Sequence, residues 1–565
     1  MQQSRNLLIT IWELQMGTRD YAFISLCLAA MLALGTGLLR QDRIAEPESF
    51  RPAQYQDDDF TSVVAKVNNE FRQHWSDNQI EFAPRADDLT IARRLSLGLV
   101  GTIPSLEEIR ELQKHDPLYR QQWWLSHLFE DRRYSDYMGE RLARAYVGTE
   151  NGPFLVYRRR KFVMWLSERL NSNARYDSIV RDLIADKGLW TDTPAVNFVT
   201  VTIDQNNDRK GPNPIRLAAR TTRAFLGMRI DCLQCHDDRL GNVALGTLDD
   251  PRDGLQADFH QLAAFFSEAK SSLLGVRDQA GEEYNYRYLE AETEELIPPA
   301  VPFSPELLPE DGNRRQRLAK WVTHRDNKPF ARAAVNRIWA LMFGRPLVDP
   351  VDDIPLNEDF PPGLETLADD FVEHDFNIQR LIRVIAETEV FQIDSRAPFE
   401  ITNKHESSFA AFPLSRLRPE QVAGSVIQAS SLKTIDADVH IVFQLQRYNE
   451  QNEFIQRYGD PGDDEFVERG GTISQRLLMM NGDLVSRRSR ANMISAANRI
   501  AQLTDDDKHA VEVVYLTVFS RKPSEKEQEH FVARLQEEKS MQFRTRTVED
   551  MIWILLNSTE FSWNH

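Results

Sequence analysis

Three cysteines in 565 residues, at positions 27, 232 and 235, constrain this chain more than any other feature. So few thiols exclude a disulfide-stapled scaffold, and the fold must be held by buried apolar surface. The length exceeds one ordinary core, so two to four domains are expected. At 41% hydrophobic and 27% charged residues the chain is globular, neither disordered nor an integral membrane bundle. A formal charge of −18 argues against nucleic acid as the main partner, because phosphate binding needs a concentrated positive footprint.

The N-terminal part addresses the chain to a membrane. Tyr21–Leu39 is a run of nineteen residues without a charge, bordered by Arg19 and Asp20 before it and by Arg40, Asp42 and Arg43 after it. A helix of that length can just cross a bilayer, and it lies where a signal sequence lies. The segment reads as either a signal anchor or a cleaved signal peptide; because the run exceeds most signal-peptide cores, the uncleaved anchor over 21–39, within an N-terminal segment 1–40, is the preferred expectation. Cys27 falls inside it, behind Leu26, and reads as membrane filler. The body of the protein is expected in the periplasm or cell envelope.

The soluble part reads as mainly α, with two helical domains. Residues 41–59, with Asp57, Asp58 and Asp59 in a row, read as a solvated tether. The first domain spans 60–270. Leu89–Leu97 predicts a short amphipathic helix that Gly101 breaks, and Ser105 with Glu108 forms a capping box for the next one. Trp123, Trp124 and Trp165 fall at helical spacing and read as core. Residues 271–312 collect Glu282, Glu283, Glu292, Glu294 and Glu295 and then five prolines, and read as an exposed acidic, Pro-rich linker. The second domain spans 313–565. There Ile378, Leu381, Ile382 and Ile385 mark one buried helix face, Ser524 and Glu527 form a second capping box, and 548–561 is an apolar helix. The acidic loop 459–471, with Asp460, Asp463 and Asp464, fits no calcium-loop pattern and reads as a solvated turn.

The chemistry concentrates in Cys232-Leu-Gln-Cys235-His236, after a helix over 216–226 that stops at Gly227. In covalent haem attachment two thiols add to the two vinyl groups of a porphyrin, and the histidine behind the second cysteine binds the iron. Haem c is therefore the first reading, with His236 as proximal ligand. No methionine occurs between Cys235 and Pro299, so His260 is the distal candidate. A redox dithiol or local disulfide needs only Cys232 and Cys235. Zinc could use Cys232, Cys235 and perhaps His236 with His260 or Asp238, but a second ligand pair is not visible. No GxSxG, HExxH, P-loop or GxGxxG occurs, so no catalytic residue is assigned. His324, His374 and His405 read as solvated helix ends.

Long strings in both halves carry a family resemblance. In the first half they are Leu95-Ser-Leu-Gly-Leu-Val-Gly-Thr-Ile-Pro104, Phe225-Leu-Gly227 leading into Cys232-Leu-Gln-Cys235-His236-Asp237, and Leu262-Ala-Ala-Phe-Phe266. In the second half they are Leu318-Ala-Lys-Trp-Val322, Pro329-Phe-Ala-Arg332, Val335-Asn-Arg-Ile-Trp339, Phe343-Gly-Arg345, Asp352-Asp353 and Leu555-Leu-Asn-Ser-Thr-Glu-Phe561 with Asn564-His565. The chain resembles the planctomycete family that links two domains of unknown function, 1549 (planctomycete cytochrome C-like) and 1553. The resemblance implies an exported or surface-associated protein, with a cytochrome or another envelope protein as partner and an activity that is not established. Many members carry a second histidine two places after the first; here that position is Asp238, which weakens zinc more than haem. Asn336 and Arg337 could line a binding groove for a carboxylate or sulfate, or tie helices together through Asp352 or Asp353.

Two functional expectations follow. The first is a membrane-anchored, exported protein with one c-type haem, serving electron transfer or acting as an accessory subunit. The alternative is a cofactor-free binding or scaffold protein of the cell envelope with a Cys232–Cys235 disulfide.

Overall fold

Apolar periodicity becomes helix from the first folded turn. The elements around the site are α1 (Asp58–Asp77), α2 (Asp88–Val100), α3 (Arg132–Val147), α4 (Pro214–Thr221), α5 (Gln256–Ala263), α6 (Lys328–Phe343), α7 (Leu364–Glu373) and α8 (Ile378–Glu387). In α1, Phe60, Val67, Phe71 and Trp75 are buried along one face. Asp57 caps this helix by accepting the Asp59 amide, and Asp58 and Asp59 occupy its first turn, where carboxylates complement the helix dipole. The aspartate run read as tether is thus a helix start.

The computed structural model describes residues 46–149, 156–203, 211–239, 241, 243–246, 250–288, 291–435, 441–459, 462, 466, 471–492, 495–504, 506–537 and 540–565, together with residue 25. Apart from residue 25, the expected membrane segment and its Cys27 lie outside the described residues, as do Asp460, Asp463 and Asp464. Among the described residues no helix is long and apolar enough to cross a membrane.

Among the described residues 58% are helical against 5% in strands, so helix packing decides the architecture. Local signals hold where their partners are close in sequence. Ser105 and Glu108 form the expected capping box, as do Ser524 and Glu527. Gly101 ends α2 in the left-handed conformation that glycine adopts without strain. Trp123 and Trp124 are core residues, and Ile378, Leu381, Ile382 and Ile385 of α8 are all buried.

The helix predicted as short and amphipathic differs most from expectation. Every residue of α2 from Ile91 to Val100 is buried, including Arg93 and Arg94. The cause is α6, which crosses it so closely that a Cβ on Gly98 would meet the Leu341 carbonyl oxygen at 3.3 Å. Arg94 remains buried because its guanidinium donates to the carbonyls of Ile393 (2.7 Å), His565 (2.9 Å) and Phe391 (3.1 Å) and lies 3.7 Å from the centre of the Phe412 ring.

Residues Pro47–His565 form one compact unit. The two halves read as separate domains share its core. Helix α6 is buried from Pro329 to Phe343 and packs on α2, on α7 and on the turn after α4. Phe71 of α1 stacks on Trp339 of α6 at 5.8 Å. Leu97, Ile103, Leu106 and Ile109 join the same apolar cluster as Val514, Val548 and Ile552.

The stretch read as an exposed linker also folds. Just before it β1 (Ala244–Gly246) pairs antiparallel with β2 (Pro251–Asp253); at its start β3 (Ala269–Ser272) pairs with β4 (Gly275–Asp278), and within it β5 (Asn285–Tyr286) pairs with β6 (Glu295–Leu296). Val276, Tyr284, Ile297 and Phe303 are buried. Isolated apolar residues between the glutamates and prolines anchor these short hairpins to the helices, which composition alone conceals. A last pair, β7 (Ser415–Arg416) with β8 (Trp563–Asn564), ties the chain's end to its middle.

Candidate functional site

The CxxCH segment sits on a tight turn that helix α4 delivers. Pro214 occupies the first turn of α4, and Asn213 caps it by accepting the amides of Ile215 and Arg216. The helix runs on through 222–226 and stops at Gly227, whose φ of 61° is left-handed. A Cβ there would also stand 3.0 Å from Ile354 and 3.2 Å from Ala333, so glycine satisfies both conformation and space.

A single turn, Asp231–Gln234, then presents the motif. Leu233 is fully buried and anchors the turn, while Cys232, Cys235 and His236 are exposed. Both cysteines are free thiols, so the disulfide of the alternative reading is not formed in this structure. Gly254 makes room for the anchor: a Cβ there would lie 2.7 Å from Leu233 Cδ1.

Backbone contacts lock the turn in place. The Gln234 carbonyl accepts from Gln256 Nε2 (3.0 Å), His260 Nε2 (3.1 Å) and the Tyr286 hydroxyl (3.4 Å). Asp237 accepts the Gln256 amide at the start of α5 (2.8 Å). Asp238 accepts the Val243 amide at 2.5 Å and donates its own amide to the Gly254 carbonyl. That carboxylate is therefore part of the frame beneath the turn.

His260 is not a distal ligand in this arrangement. It is fully buried, and Nε2 donates to Gln234 while Nδ1 accepts from the Tyr284 hydroxyl at 2.9 Å. Its ring stacks on Tyr286 with centres 3.5 Å apart. Burial pushes its imidazole below the ordinary value, and the bond to Gln234 opposes that shift. With both nitrogens engaged, His260 supports the turn from below. His236 differs: its Nδ1 donates to the Asp237 carbonyl at 2.8 Å, which leaves Nε2 as an acceptor.

The electrostatics disfavour ionisation of the first thiol. Partial burial raises the Cys232 thiol above its ordinary value, and the Asp238 and Asp231 carboxylates raise it further. A redox dithiol instead needs a thiol poised to ionise.

Preformed metal geometry lies elsewhere. Among the described residues, ligand atoms converge at Asp59, Asp370 and His374 and at Glu108, His127 and Asp131, and neither group includes the cysteines. Each already holds a cation, since Arg380 pairs with Asp59 (2.7 Å) and Asp370 (2.8 Å), and Arg133 with Glu108 (2.5 Å) and Asp131 (2.6 Å). His374 belongs to the first group; His405 accepts the Thr402 amide at a helix start, and His324 faces solvent near Asp326.

The residues singled out in the second half separate. Asn336 is structural, donating to the Val348 carbonyl (2.8 Å) and accepting the Val348 amide (3.0 Å). Asp352 pairs with Arg229 at 2.6 Å and lies 3.6 Å from Arg223. Arg337 pairs with neither Asp352 nor Asp353; it lines a cleft with Arg144, Arg220 and Arg223. Only its place in the fold exposes this role, because the other arginines are distant in sequence.

Fold and turn together define a mainly helical protein that presents a CxxCH turn on its surface. Two family models match it, one described as a protein of unknown function (DUF1549) over residues 66–271 and one as a protein of unknown function (DUF1553) over residues 314–535. The chain belongs to the planctomycete family that joins these two domains. No curated protein and no solved structure matches it.

Proposed function

We propose that this is an exported protein, anchored through Tyr21–Leu39, whose CxxCH turn carries one covalent haem for electron transfer or as an accessory subunit in the cell envelope. One observation carries this reading. Cys232 and Cys235 are free and exposed on a turn tied down from below, and the exposed His236 that follows them uses Nδ1, not Nε2, in its bond to Asp237. These residues fit the attachment chemistry: each S–H adds across one vinyl double bond, forming a C–S bond and passing its hydrogen to the neighbouring carbon, with no oxidant consumed. His236 would hold the iron from one side, and the bound haem would supply one-electron transfer. The chain's own part is to present the thiols and orient the imidazole, while His260 and Gln256 keep the turn from collapsing. A cytochrome or another envelope protein would be the partner, and the acidic net charge disfavours nucleic acid.

A second reading rests on a different observation. The three side chains lie on open surface, and the histidine expected on the far side is buried with both nitrogens engaged. This favours a cofactor-free binding protein of the envelope. Expression in a host with working cytochrome c maturation separates the two. A haem band that survives denaturation, with a thioether haemochrome spectrum that is lost on Cys232→Ser, is expected. No band, together with two titratable thiols at Cys232 and Cys235, overturns the haem reading in favour of the second.

A further inference from the structure

A largely buried arginine that pairs with no described residue stands out in the second half. Arg337 projects from α6 and is 8% exposed. Among the described residues its guanidinium makes no hydrogen bond and no ion pair, whereas Arg332, earlier on the same helix, pairs with Glu365 and donates to the Leu356 carbonyl at 3.0 Å. The tyrosines beside Arg337, Tyr146 and Tyr176, bond to each other through their hydroxyls at 3.2 Å. None of the Arg337 nitrogens is sealed from solvent, so the guanidinium opens onto the cleft, where an anion can meet all its donors.

The surroundings of Arg337 add positive charge. The cleft it lines also holds Arg144 of α3 and Arg220 and Arg223 from α4 and its continuation, against one carboxylate among the described lining residues, Asp352. That carboxylate is engaged by Arg229, and Arg223 also pairs with Asp231 at 3.0 Å. Arg144 and Arg220 have partners of their own, so the argument rests on Arg337. The others contribute further guanidinium groups to the same wall.

From this convergence we infer that the cleft at Arg337 binds a tetrahedral oxyanion group, a phosphate or a sulfate. Guanidinium groups donate in planar forks to two oxygens at a time, and arginines reaching in from separate helices suit an anion with oxygens in several directions. The size agrees. The cleft holds about 130 Å³, below the roughly 300–1,000 Å³ of pockets that enclose a drug-sized ligand. It has room for one anionic group and is open to solvent, so the group can be a free ion or an ester on a larger molecule. The site is independent of haem at the CxxCH turn, although Arg223–Asp231 links the cleft's edge to the residue before Cys232.

Calorimetric titration of the full chain in detergent tests the site, with sodium phosphate, sodium sulfate and sodium acetate in separate arms at constant ionic strength balanced by chloride. One saturable event with phosphate or sulfate is expected, and the arm that responds identifies the anion. In Arg337→Gln the affinity should fall about tenfold to a hundredfold, as for loss of charged hydrogen bonds. Arg337→Lys keeps the charge without the fork and should lie between the two. Because Arg337→Gln touches the core, Arg223→Gln at the more exposed edge serves as a second variant and should weaken the same event. No saturable event in the wild type, saturation with acetate alone, or unchanged affinity in both glutamine variants would overturn the assignment.

Discussion

His260 Nε2 donates to the carbonyl of Gln234, the residue before Cys235, across 3.1 Å. The bond joins a fully buried imidazole to an exposed motif and makes the histidine a support for the turn. It also fixes the tautomer, because Nδ1 must then accept from Tyr284. The CxxCH turn therefore owes its shape to residues more than twenty positions downstream.

Replacing His260 by Phe should loosen that turn. The ring keeps its stacking on Tyr286, but the Tyr284 hydroxyl loses its acceptor and Gln234 loses a donor. The expected cost is about 1–3 kcal/mol of stability, read by denaturant unfolding. Cys232 and Cys235 should also label faster with a thiol reagent, and amide exchange should rise over 231–238 more than over α6. Uniform exchange changes across the chain would contradict a local supporting role.

Glu387 sets a pH dependence. Burial raises its carboxyl from 4.5 to about 7, and one of its oxygens is buried without a partner. The folded-state value lies above the unfolded one, so the folded state binds the extra proton. Its contribution is fully present below pH 4.5 and is lost as the pH rises through about 7. Glu387→Gln, which keeps the shape without the charge, should stabilise the protein at pH 8.5 by on the order of 2 kcal/mol and change little at pH 4.5. Unfolding curves at the two pH values check this, and an equal effect at both would refute it.

The legible parts of the fold were those whose causes are local. Ser105 meets Glu108 three residues on, and Gly101 and Gly227 end helices through their own backbone angles, so short windows suffice. The exposed CxxCH turn was legible for the same reason. His260 was not, because its donors and acceptors come from residues 234, 284 and 286. Arg337 was harder still: reading it as unpaired requires knowing that Asp352 faces Arg229. The hairpins over 269–296 were hidden by their acidic composition, although Val276 and Tyr284 anchor them.

Glu108 connects a helix cap to a buried ion pair. One oxygen accepts the Ser105 amide at 2.7 Å; the other takes Arg133 at 2.5 Å and lies 3.3 Å from His127 Nε2. Burial alone would raise its carboxyl, but Arg133 and His127 hold it well below the usual carboxylate range. Glu108→Ala removes the cap and one partner of Arg133, and should cost about 3 kcal/mol. Glu108→Gln retains the cap and should cost about half as much. The ordering, read from unfolding midpoints, is the test, and equal losses would show that the cap contributes nothing.

The last prediction separates the chemical readings of the turn. A dithiol that works by exchange needs a thiolate near neutral pH, whereas addition to a vinyl group needs an accessible thiol. Burial, Asp238 and Asp231 all raise Cys232. In a variant with Cys27 and Cys235 changed to Ser, the rate of Cys232 alkylation should therefore reach its half-maximum at a pH above that of an ordinary thiol. Asp231→Asn removes one of the two charges without touching the Val243 amide that Asp238 holds, and should move the midpoint down. A wild-type midpoint below that of free cysteine would mean that the turn stabilises a thiolate. The exchange reading would then regain its footing, and the electrostatic account of this site would fail.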